Sequence, residues 1–90
     1  MTLRLQSGFE IAKFSDLDYE GMTVEIRYRD VPVAQLNRDK GRDAQELVIP
    51  SRFAPEGTMF VFPVVDFMQA LEKAKELLAS LELGIGGSAG

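Results

Sequence analysis

Along residues 22–29, "MTVEIRYR", apolar and polar positions alternate without a break. Met22, Val24, Ile26 and Tyr28 fall on one side, Thr23, Glu25, Arg27 and Arg29 on the other. A period of two belongs to a strand with one face buried, as in an antiparallel sheet. The charged side is expected to be solvated. A shorter strand precedes it near residues 9–14, with Leu3 and Leu5 as an earlier start. Residues 30–37, "DVPVAQLN", read as the return arm of a hairpin. Pro32 has no N–H to give to a ladder, which places it at the strand's start or on an edge, and a bulge fits the uncertain register. "RDKGRD", residues 38–43, is a turn, and "QELVIP", residues 45–50, is a further strand stopped by Pro50. In the loop "SRFAPEG" Pro55 suits the second position of a type I turn and Gly57 the fourth. The most apolar stretch is "TMFVFPV", residues 58–64. With both faces greasy, it predicts a central strand under a helix, ended by Pro63.

From there the period changes to that of a helix. Phe67, Leu71, Ala74, Leu78 and Leu81 share one face, with Ala70 and Leu77 beside them, while Gln69, Glu72, Lys73, Glu76 and Ser80 fill the other. Asp66 is the expected N-cap, with Gln69 at capping-box spacing. Gly84 fits the position past the C-cap, and Ile85 the apolar contact that accompanies it. The expected fold class is α+β: an antiparallel β-meander of four to five strands with one C-terminal α-helix packed on one sheet face. Residues 1–83 form a single domain in this reading, and residues 84–90 a flexible Gly-rich tail.

Composition narrows the chemistry. Ninety residues with 46% hydrophobic and 27% charged positions make one ordinary globular core. There is no cysteine and no histidine, so disulfides, thiol catalysis and the usual zinc sites are excluded, and the commonest general base is missing. No nucleophile motif and no phosphate-cradling glycine loop appears, so neither an enzyme nor a cofactor is expected. A net charge of −4 argues against nucleic acid. No apolar run is long enough for a membrane span, and the chain reads as cytoplasmic.

Two charged groups remain as candidate partner-binding residues. "FSDLDYEG", residues 14–21, carries Asp16, Asp18, Glu20 and Gly21 at the spacing of the first half of a calcium loop. The closing bidentate carboxylate of such a loop would fall on Arg27, so a polar turn with an acidic surface is the better reading. The second group is cationic: Arg27 and Arg29 on the outer sheet face, and Lys40 and Arg42 in the nearby 38–43 turn. Residues 27–52 hold six cations against four carboxylates, a balance of +2, which leaves −6 elsewhere. Such a patch grips an acidic partner or a phosphate. A solvated face with its charges paired across strands is the plainer alternative, and the one favoured. Phe53, Val31 and Val33 are apolar residues with no evident home; edge-strand or sheet-face pairing into a homodimer would give them one.

The succession "MTVEIRYRDVPVAQLNRDKG", "QELVIP" and "FPVVDFMQALEKAKELL" resembles small immunity-type proteins of bacterial polymorphic toxin systems over residues 22–80. The resemblance implies a small non-catalytic protein-binding domain that binds and inhibits a toxin, with Asp16, Asp18 and Glu20, and Glu72 and Glu76 on the helix, as acidic contacts to a basic nuclease. The turn at Asp30, Val31 and Pro32 lacks the glycine expected there, and no signature residue transfers a site. The alternative is a homo-oligomeric accessory or regulatory domain without a toxin partner.

Overall fold

The computed structural model describes residues 2–15, 19, 21–41 and 43–89, with side chains through Leu81. Five strands form one antiparallel meander in chain order: β1 (Thr2–Arg4), β2 (Phe9–Phe14), β3 (Thr23–Tyr28), β4 (Val31–Asn37) and β5 (Glu46–Val48). One helix, α1 (Val64–Ala89), packs across β2, β3 and β4. The α+β class expected from the pattern is what the chain forms.

Leu3 belongs to a strand of its own, β1, rather than to an early start of β2, and Leu5 lies in the turn that follows. Leu5 N–H donates to Phe9 O at 2.8 Å and Gly8 N–H to Leu5 O at 3.1 Å, closing a tight turn between β1 and β2. Gly8 has φ 103°, and a Cβ there would stand 3.2 Å from the Tyr28 ring, so only glycine fits. The hairpin between β3 and β4 turns through Arg29 and Asp30, both at positive φ (50° and 69°). Its register shifts between Ile26 and Arg27, the bulge expected at Pro32.

Val24, Ile26 and Tyr28 of β3 lie on the helix side with Phe9 and Ile11 of β2 and Ala34 and Leu36 of β4. Against them α1 lays Ala70, Ala74, Leu77 and Leu78, all buried, with Phe67, Leu71 and Leu81 at the margin. Alanine at positions 70 and 74 lets the helix axis approach the sheet, and the leucines fill the space on either side.

Four expectations at the helix end of the chain are corrected. Residues 58–63 form no strand. They run extended into α1, with Phe60 and Phe62 packed against the core while Met59 and Val61 stand 84% and 81% exposed. Their period of two gives the segment one buried face, so the apolar count misled. The turn before it lies one residue later than expected: Thr58 N–H donates to Pro55 O at 3.2 Å, and Gly57 takes φ 78° in the third position. The helix begins at Val64, so Asp66 sits in the first turn beside the N-terminal dipole instead of capping it. At the far end Gly84 lies within the helix span, not past its cap.

A further correction concerns the second sheet face, expected to be solvated. Thr23 and Glu25 of β3 and Gln35 and Asn37 of β4 are buried there, beside Val33 and Ser51. The loop after β5 covers them. Ser51 N–H donates to Val33 O at 2.8 Å, and Phe53 then reaches the Phe14 ring at 5.3 Å. One small sheet is thus sandwiched between a helix and a loop.

Candidate partner-binding surface

The cations named from the sequence do not form one patch. Arg27 and Arg29 sit together at the β3–β4 hairpin. Arg27 Nε lies 3.4 Å from Glu25 Oε1, and its Nη2 donates to Asp30 O at 2.9 Å. The Arg29 guanidinium stands over the Tyr28 ring at 5.2 Å. Lys40 is in the β4–β5 connection, at the opposite end of β4, where its Nζ pairs with Glu46 Oε2 at 3.0 Å. Seven residues of strand, about 20 Å, separate the two ends. Arg27 and Lys40 are thus each engaged with groups of this chain, Arg27 with Glu25 of its own strand and the hairpin carbonyl rather than with a cross-strand neighbour. Asp16, Asp18, Glu20 and Arg42 lie outside the described residues.

Beneath the covering loop lies a polar layer. Thr23 Oγ1 donates to Phe14 O at 2.7 Å and accepts from Gln35 Nε2 at 3.4 Å. Ser51 Oγ accepts from Phe53 N–H at 3.2 Å, which shapes the loop as it crosses. Glu25 is 6% exposed. Burial pushes its carboxyl above the ordinary value, and the Arg27 guanidinium pulls it partly back. A displaced carboxyl in a cleft marks a functional site in many enzymes. Here the loop seals the group off, and its neighbours are an amide, hydroxyls and an arginine already bound to main chain. The layer ties strands of the sheet to one another, and the loop is fixed over it by the Ser51 N–H bond to Val33 O and the Phe53 contact with Phe14.

Concave sites are modest. A cleft of about 500 Å³ is lined by Asp43, Gln45, Glu72, Lys75, Glu76 and Ala79. It is open and highly charged, unlike the apolar pockets that enclose small ligands. A smaller apolar cleft of about 180 Å³ lies between α1 and β5, where Leu71 faces Leu36 and Leu47. Among the described residues no group of three or more carboxylates could hold a metal ion, and no helix is long and apolar enough to cross a membrane.

The most unusual surface is apolar. Met59, Val61, Val64, Val65 and Met68 are 84%, 81%, 76%, 73% and 55% exposed. They fall within ten consecutive residues, on the outer side of the extended segment and the first turns of α1. Single exposed hydrophobics are ordinary; five within ten residues are not, and apolar patches mark contact sites. The inner side of the same segment is fixed. Phe62 meets Phe9 and Tyr28 at 4.8 Å each and stacks on Phe67 at 6.1 Å. The band is therefore held on a packed aromatic base. The residues singled out earlier are less available: Val33 is buried, and Phe53 rests against Phe14 with the Arg52 guanidinium 4.7 Å from its ring. The sequence carried no sign of it, since Met59 and Val61 on one side and Phe60 and Phe62 on the other are all apolar. No family model matches the chain, and neither curated proteins nor solved structures yield a match.

Proposed function

We propose that this chain is a small protein-binding domain without catalytic chemistry, docking through the band from Met59 to Met68. The observation that carries the reading is the exposure of five large apolar side chains on a rigid base. Water contact with such a surface is unfavourable, and covering it by another protein releases roughly 25 cal/mol per Å² before the costs of association. The toxin-inhibitor form implied by the sequence resemblance is one heteromeric version of this reading. Its support is the acidic balance of −4, which would speed encounter with a basic nuclease.

The test is capture by the tagged chain beside its Val61→Glu variant, read by mass spectrometry after low-salt and high-salt washes. The expected result is a stoichiometric protein, this chain itself included, that survives the wash and is lost from the variant. Equal recovery from both baits would show that the band is not the docking surface.

A further inference from the structure

We infer that the occupant of the band is a second copy of this chain, packed band against band about a two-fold axis. The inference rests on the protein-binding reading and names its partner. Charge is the first argument. Residues 57–65 carry none, bracketed by Glu56 and Asp66, in a chain of net charge −4. Two identical acidic chains repel each other over most approaches, and at the band that repulsion is least.

The second argument is area. Five side chains this exposed present roughly 500–600 Å², the upper end of the largest patch on a typical monomer. Doubled by a two-fold axis, that is about 1,000–1,200 Å², the threshold of a specific interface.

Self-complementarity is the third. The band offers valines and methionines with no hydrogen-bonding side chain, so it asks for a surface equally free of polar demands. A two-fold axis supplies one by construction. Met59 and Met68 stand at its two ends, and their unbranched side chains adapt to gaps in such a contact. The main chain is open as well: among the described residues, 59–62 make no backbone hydrogen bond. The extended segment is an unpaired edge beside an apolar face.

The experiment is sedimentation velocity and native mass spectrometry on the full chain from low to high micromolar concentration. Wild type is expected to pass from monomer to dimer. Val61→Glu and Met68→Glu each put an unpaired carboxylate into the apolar contact and should weaken the dimer at least about a hundredfold. Both positions are exposed, so far-UV circular dichroism should be unchanged. Leu3→Glu, on the edge strand β1, should leave the dimer intact. Val61→Lys and Val61→Glu chains, each monomeric alone, should form a mixed dimer when combined.

A dimer indifferent to Val61→Glu, or lost equally with Leu3→Glu, overturns the assignment. So does a wild type that stays monomeric. If that monomer still captures another protein in a Val61-sensitive way, only the second-copy assignment fails. If it captures nothing, the protein-binding reading fails with it.

Discussion

Replacing Phe62 with alanine should loosen the extended segment from the body of the protein. The ring has four aromatic neighbours: Phe9 and Tyr28 at 4.8 Å, Phe60 at 5.8 Å and Phe67 at 6.1 Å. Pairs at this separation add about 0.5–1.5 kcal/mol each beyond area burial, and the two at 4.8 Å dominate. The ring is only partly buried, so its area term is about half of the 1.5–3 kcal/mol of a buried phenylalanine. The sum is about 2–4 kcal/mol, within reach of measured phenylalanine truncations. A chain of this size has about 5–10 kcal/mol in total, so the loss is a large share.

Urea unfolding followed by circular dichroism measures it, at a fixed low concentration that keeps self-association out of the comparison. Met59→Ala, three residues away and 84% exposed, is the control and should fall within about 0.5 kcal/mol of wild type. A double-mutant cycle with Phe9→Leu and Phe62→Leu should return a coupling of about 1 kcal/mol. If Phe62→Ala costs no more than Met59→Ala, or the cycle gives no coupling, the aromatic cluster does not anchor the segment. The rigid base claimed for the band would then be wrong.

Two further predictions concern the sheet. The hairpin turn holds Arg29 and Asp30 at positive φ, a conformation that asparagine and glycine adopt with less strain. Arg29→Asn with Asp30→Gly should therefore raise stability by about 1 kcal/mol and the thermal midpoint by about 5 °C; a lowered midpoint would mean that the Arg29 contact with Tyr28 outweighs the backbone strain. Burial raises the Glu25 carboxyl above its ordinary 4.5 in the folded protein, so the folded state holds that proton to higher pH and stability declines as pH rises through the interval between the two values. Glu25→Gln should gain on wild type as pH rises across that interval in thermal melts, and a pH-independent difference would show that the group does not titrate differently on folding.

The parts legible in the sequence were those where one periodicity governed a whole element. Strict alternation over residues 22–29 gave the central strand, and the Phe67–Leu81 stripe gave the helix face. Residues 58–63 failed because both faces of the segment are apolar, so its period of two carries no mark of which face is buried. A segment with phenylalanine inside and methionine and valine outside looks uniformly apolar when only hydrophobicity is counted. The second sheet face failed for a different reason. Thr23, Glu25 and Gln35 are polar enough for water, and nothing local says that a loop more than twenty residues beyond β3 will return over them. Ser51 and Phe53 do this through a main-chain bond to Val33 and a ring contact to Phe14. Pairings of that range leave no periodic trace.

That loop also bears on where a partner can sit. With a helix on one face of the sheet and the loop on the other, neither face of its central strands is free for docking. Among the described residues after β5, Ile49 and Phe53 keep 55% and 42% exposure, and the five residues of the band 55% or more. For those five the exposure is forced by geometry. Once Phe60 and Phe62 turn inward to meet Phe9 and Tyr28, the pleat sends Met59 and Val61 outward. On α1 the core stripe through Phe67, Ala70, Leu71 and Ala74 leaves Val64, Val65 and Met68 on a different side of the helix. No segment among the described residues covers them. For folding alone, polar residues would serve at all five positions and would spare the chain an aggregation hazard. The proposed contact outside the chain would account for their apolar character. Substituting Met59, Val61 and Met68 with polar residues should accordingly leave the monomer's fold intact and remove only its association.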